Sequence, residues 1–134
     1  MSRAADMFDT HPGHQEGADR ALILEVIEAC TENAQACTAC ADACLSEESV
    51  DSLVACIRSD LDCADVCAAT AAVLTRQTAT DEAIIRAVVS ACRTVSERCG
   101  DECARHADMH EHCRVCSEAC RRTQAACDAL LAAF

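Results

Sequence analysis

Residues 99–120 read CGDECARHADMHEHCRVCSEAC, and their spacing decides the fold. The stretch carries five cysteines, three of the chain's five histidines and Met109. Cys99, Cys103, His106 and His110 recur at steps of three or four, which lines them along one face of a helix. Cys113, Cys116 and Cys120 do the same on the next helix. A reversal near Asp108 joins the two, and Asp108-x-x-Glu111 has the pattern of a capping box. The ligand-bearing faces then look at each other, with histidines at the turn, as one half of a metal-filled tube.

Composition sets the class. A chain of 134 residues has the size of one domain. It has two Phe, no Tyr or Trp, three Gly and one Pro, too little turn chemistry for an all-β protein. A net charge of −12 argues against nucleic acid and anionic membrane as partners. The fourteen cysteines would mean a disulfide scaffold in a secreted chain. The opening MSRAADMFDTHPGHQEGADR, however, has no apolar h-region or small-residue cleavage site, and no run approaches membrane-spanning length. The expectation is therefore an intracellular, reduced protein, where dense cysteine points to metal or redox chemistry.

The same spacing runs through the chain. Residues 1–16 are expected to be a flexible arm with a turn of helix at Ala4–Phe8; its His11 and His14 read as solvated tail histidines. Residues 17–134 are expected to form the metal-storage domain. A first helix from Gly17 to about Leu45 carries Leu22, Ile23, Val26 and Ile27, then Cys30, Cys37, Cys40 and Cys44. A serine at 46 or 49 is placed to cap a second helix, from about Val50 to Arg76, with Leu53, Cys56, Asp60, Cys63, Cys67, Thr70 and Leu74 inward. Thr80 is the expected N-cap of a third helix, Asp81 to Ala107, with Ile84, Ile85, Val88, Val89, Cys92, Cys99, Cys103 and His106. The fourth, to about Leu131, carries Cys113, Cys116, Cys120, Cys127 and Leu130. Every gap between cysteines within a helix is three, four or seven residues, the spacing of a bundle core with thiols in place of leucine. Short connections make neighbours antiparallel. The predicted fold is all-α, an up-down-up-down four-helix bundle with a cysteine-lined core.

Antiparallel packing collects Cys44, Cys56, Asp60, His106, His110, His112 and Cys113 at one end. Leu22, Val26, Leu74, Ile84, Val88, Leu130 and Phe134 plug the other. Inert packing accounts for one or two buried cysteines, not for fourteen in register. Thiolates select soft ions. A zinc site with four thiolates carries net negative charge, and several stacked in a dry core are costly. Cu(I) at one ion per thiolate is neutral, giving a capacity of roughly a dozen or more ions per chain. His106 and His110 are the leading candidates to admit the ion. His112 is less sure to point inward, Met109 is a ligand or a cover, and Asp60 binds metal, hydrogen-bonds a mouth histidine or reaches water at the rim.

These rows, Cys30/Cys37/Cys40/Cys44, Cys56/Cys63/Cys67, Cys92/Cys99/Cys103 and Cys113/Cys116/Cys120/Cys127, with histidines at one end, resemble the copper storage proteins, a bacterial family of four-helix bundles. The resemblance implies storage of many Cu(I) ions per bundle, admission where His106, His110 and Cys113 lie, and often a homotetramer. The predominance of histidine over methionine at the mouth resembles the cytosolic branch. A copper chaperone or chelator is the implied donor or recipient, and no catalysis is implied.

Three rivals stay open. A zinc or cadmium thiolate buffer has the same geometry. A thiol redox protein would use Cys113-x-x-Cys116 near a helix start, yet no strand precedes it and twelve other cysteines stay unexplained. A disulfide-stapled bundle would close only very short loops. Di-iron chemistry is disfavoured because no Glu-x-x-His occurs.

Overall fold

The computed structural model describes residues 2–13, 17 and 19–134. Among them are five α-helices and no strand: α1 (Arg3–Thr10), α2 (Arg20–Leu45), α3 (Val54–Thr75), α4 (Glu82–Ala104) and α5 (Glu111–Ala132). Alanine and straight-chain residues favour helix throughout, and the one proline, Pro12, lies before the long helices. Helix α2 packs on α3 and α5, and α4 packs on the same two, so the four long helices close a ring. This is the expected antiparallel bundle.

The helix ends depart from the sequence reading, each for a local reason. Residues Val50–Ser52 form one 3₁₀ turn, and α3 starts after it with Leu53 as N-cap and no side-chain cap. Asp81, not Thr80, caps α4: its carboxylate accepts from the Ala83 and Ile84 amides at 3.0 and 3.4 Å, where a negative charge also suits the helix dipole. Helix α4 stops at Ala104, and residues 105–110 pass through successive turns, with His106 N–H donating to Cys103 O at 3.0 Å and His110 N–H to His106 O at 2.9 Å. His110 takes the N-cap position of α5, so the Asp108 capping box does not form. His106 and His110 thus lie on the connection rather than on the cysteine-bearing helix.

The turn expected at Ala4–Phe8 is part of a longer helix, α1, capped by Ser2 Oγ accepting from Ala5 N at 3.1 Å. Ala5 and Phe8 are buried, and a Ser2–Glu28 hydrogen bond and an Asp9–Arg20 ion pair fasten α1 to α2. At the apolar end Val26, Leu74, Val89 and Leu130 are buried, with Leu22, Val88 and Phe134 packed against them; Ile84 is 53% exposed and stands outside the plug. A Cβ at Gly100 would meet the Arg121 guanidinium at 2.9 Å, the far end of a flexible side chain that crosses from α5 to pair with Asp101 and can give way.

Because cysteines give this core little apolar area, the plug residues matter out of proportion. Truncating the fully buried Leu130 to alanine is expected to cost about 2–5 kcal/mol. Urea unfolding of the reduced, metal-free protein checks this through a lower midpoint at unchanged slope.

Candidate metal centre

All fourteen cysteines are free thiols, and none is more than 2% exposed. Inward registration on four helices brings sulfurs from different helices into contact: Cys30–Cys92 at 3.4 Å, Cys56–Cys103 and Cys37–Cys116 at 3.7 Å, Cys67–Cys92 at 3.8 Å, and Cys37–Cys99, Cys37–Cys120 and Cys40–Cys113 at 3.9 Å. With metal–sulfur bonds of about 2.3 Å, three thiolates around one ion lie about 4 Å apart. The sulfurs therefore already stand at bridging distance. Groups of four donor atoms within 4.8 Å of one another include Cys37/Cys63/Cys99/Cys120 and Cys40/Cys44/His112/Cys113. Others are Cys37/Asp60/Cys99/Cys116, Cys40/Asp60/Cys103/Cys116 and Cys40/Cys44/Cys56/Asp60. These groups share members, so the arrangement is one continuous run of donors rather than separate closed sites.

Sequence reasoning placed Asp60 on the inward row but missed its companions. Each seven-residue gap in a cysteine row holds one more inward position, and a small polar residue fills it: Asn33, Asp60, Ser96 and Thr123, all 0% exposed. The gaps themselves were the available signal. Asn33 Nδ2 donates to Cys63 and Cys67 at 3.5 and 3.6 Å, while its Oδ1 accepts from Cys37 and Cys120 at 3.3 and 3.5 Å. The Ser96 hydroxyl faces Cys63 at 3.8 Å. Asp60 Oδ1 accepts S–H bonds from Cys99 at 3.1 Å and from Cys103 and Cys116 at 3.3 Å. Burial, then the Cys99 and Cys40 sulfurs, push its carboxyl up to about 9, so it is neutral at pH 7 without metal. Burial and the neighbouring Cys40 likewise push Cys44 up to about 11 and raise Cys113.

At the mouth the three histidines have different neighbours. His112, the least certain of the three, turns Nδ1 onto Cys40 Sγ at 3.4 Å and Cys113 Sγ at 3.6 Å. Desolvation lowers its pKa, but Cys40 and Glu47 outweigh that and raise it. His106 bonds through Nε2 to Glu102 at 2.8 Å, and His110 pairs through Nδ1 with Glu47. Met109 is 78% exposed on the connecting turn. In the arm, His11 Nδ1 accepts from Gly13 N at 2.9 Å, and His14 lies outside the described residues.

A bundle whose axis is a run of buried sulfurs, with partly exposed histidines at one end, defines a polynuclear thiolate metal-binding protein. Residues 19–132 match the copper storage protein family, and the chain belongs to it. The copper storage protein Ccsp from Streptomyces lividans loaded with 10 copper equivalents superposes with a TM-score of 0.94 at 59% identity, over 98% of this chain and 99% of that one. The same organism's cytosolic copper storage protein with five coppers gives 0.87 at 62% identity, over 89% and 99%. An uncharacterized cysteine-rich protein of Bacillus subtilis strain 168, YhjQ, is 37% identical over 69% of this chain and 81% of its own length.

The raised Asp60 pKa fixes a pH dependence. The native carboxyl, at about 9, keeps a proton that the unfolded chain, near the ordinary aspartate value of 3.8, gives up. Between these values the native state binds more protons, so stability of the reduced, metal-free protein falls as pH rises. Asp60→Asn is expected to flatten that fall; urea midpoints at about pH 5 and about pH 6.5 measure it, below the range in which ordinary thiols ionise.

Proposed function

We propose that the chain stores Cu(I) in the bacterial cytosol, holding ions along its axis through Cys30, Cys37, Cys40, Cys44, Cys56, Cys63, Cys67, Cys92, Cys99, Cys103, Cys113, Cys116, Cys120 and Cys127. The observation that supports this reading best is the interhelical sulfur spacing of 3.4–3.9 Å in the buried core. Each Cu(I) that binds a thiol releases its proton to solvent, so charge in the dry core stays constant while the metal count rises. Ions arrive at the histidine end, where the exposed Met109 and the rim residues His106 and His110 make first contact. His112 Nδ1 then shares the ion with Cys40 and Cys113. Asp60 gives up its own proton, or accepts fewer S–H bonds, as neighbouring thiols are metallated. The arm, residues 1–16, is accessory to the storage domain, 17–134.

The role is storage rather than catalysis. Cys113, the expected nucleophile of a redox pair, is fully buried and its thiol is raised by burial, the opposite of an activated thiolate. Membership of the family supports a homotetramer, and a chaperone or chelator as donor or recipient.

Anaerobic titration of the reduced protein with Cu(I) against a competing chelator is expected to give about one ion per cysteine, on the order of a dozen per chain. A parallel zinc titration should saturate at far fewer ions, since each neutral divalent site consumes two thiolates. One or two tight coppers, or an equal zinc count, would defeat the storage reading.

A further inference from the structure

Two carboxylates face the mouth histidines, and one of them does more than neutralise charge. Glu47 sits in the turn between α2 and α3, and its Oε2 reaches both His110 Nδ1 and His112 Nε2, the latter at 3.4 Å. The two rings stack, with centroids 5.6 Å apart and planes 25° from parallel, so one oxygen serves both. Ser49 of the same turn faces His110 Nε2 at 3.4 Å, which leaves both His110 nitrogens engaged by the turn. His112 differs: its far nitrogen, Nδ1, faces the Cys40 and Cys113 sulfurs at 3.4 and 3.6 Å.

We propose that Glu47 is the positioning residue of the mouth, holding the proton of His112 on Nε2 and so presenting a bare Nδ1 lone pair to copper beside Cys40 and Cys113. A neutral imidazole carries one proton on either nitrogen, and an acceptor at one nitrogen selects the tautomer in which that nitrogen keeps it. A carboxylate behind a metal-binding imidazole also fixes the ring's rotation, and loss of such a support costs about 10–100-fold in metal affinity or activity. Here the support crosses the mouth. The carboxylate belongs to the α2–α3 turn and the imidazoles to α5 and its N-cap, so Glu47 also ties the rims of two helices together. His110 has both nitrogens held by the turn, whereas His112 has only Nε2 held there and turns Nδ1 to the thiols of Cys40 and Cys113. The inference rests on the copper-storing reading for its kinetic consequence, but its tautomer claim is independent of metal.

The test uses the full chain, reduced, with Glu47→Ala and Glu47→Gln. Nitrogen-15 NMR of the metal-free protein at about pH 8 should show His112 as the Nε2–H tautomer in the native protein and in E47Q, whose amide oxygen still accepts, and a mixture in E47A. Stopped-flow transfer of the first equivalents from a chelated Cu(I) donor should slow about tenfold in E47A and return close to native in E47Q, with total capacity unchanged in both. A native His112 found as the Nδ1–H tautomer, an E47A rate equal to native, or an E47Q that behaves like E47A would each overturn the assignment. If E47A fails to fold, the native tautomer and the E47Q rate still decide. A native protein that takes up no copper would instead sink the storage reading and leave the tautomer result standing.

Discussion

Everything in this molecule answers to the problem of keeping many ionisable sulfurs in a place without water. Among the described residues, the hydrogen-bond partners of the core sulfurs include other thiols, Asp60, Asn33, Ser96, Thr70 and His112. No guanidinium reaches them; the arginines lie in surface ion pairs such as Arg122–Glu25, Arg93–Asp128 and Arg121–Asp101. An ionised thiolate there has no cation beside it, so most sulfurs of the metal-free core stay neutral thiols, and the ones whose pKa is lowered, Cys40, Cys63, Cys92 and Cys99, are those that neighbouring thiols hydrogen-bond. A monovalent soft cation can take the place of each proton without changing the charge of the interior. The same scaffold therefore accommodates the thiol-filled and the metal-filled core. Helix pairing depends on the positions of the sulfurs, not on what each sulfur carries.

That solution carries a cost in packing. A thiol is a small hydrophobe, and a bundle lined with it buries less apolar surface than one lined with leucine. The chain concentrates large side chains elsewhere, in the Val26, Leu74, Val89 and Leu130 plug and in Leu53 beside the mouth. It adds α1 as a strap, with Phe8 buried in the main cluster. The surface ion pairs are each worth about 0–1 kcal/mol and serve more to set which helices face each other. Polar residues inside the core do different work. Thr70 and Thr123 bond back to their own helix, at 2.7 Å to Val66 O and 3.0 Å to Ala119 O, and are satisfied without metal. Asn33 and Asp60 instead spend their hydrogen bonds on sulfur, so they must rearrange as protons leave.

How much of this was legible follows from the range of the forces involved. The cysteine rows repeat every three or four residues, which is local information, and it placed the helices, the antiparallel ring and the convergence of sulfurs. Asp60 was visible because it occupies a step of the same row. Asn33, Ser96 and Thr123 obey the same arithmetic, but three different polar side chains at single steps make no repeat of their own, so the thiol spacing does not mark them. The helix ends were harder. Asp81 prevailed over Thr80 because its carboxylate serves two amides of α4 at once. The Asp108 box failed because the chain turns again before the helix starts. No periodicity speaks to that contest between a local cap and a distant contact.

The histidines make the point most sharply. Read from spacing, His106 and His110 belong to a cysteine row and His112 does not; in space, His112 alone of the three touches sulfur. The deciding partners, Glu47 for His110 and His112 and Glu102 for His106, include a residue more than sixty positions away in the chain. An imidazole nitrogen is a harder ligand than a thiolate and holds a single ion, so the rim imidazoles are weaker traps for Cu(I) than the bridging sulfurs. A rim built this way binds less tightly than the sulfurs behind it. An arriving ion is therefore drawn from nitrogen to sulfur, toward ligands that are softer and bridge more ions. The direction of filling is then a property of ligand order along the axis, and no moving part is needed to impose it.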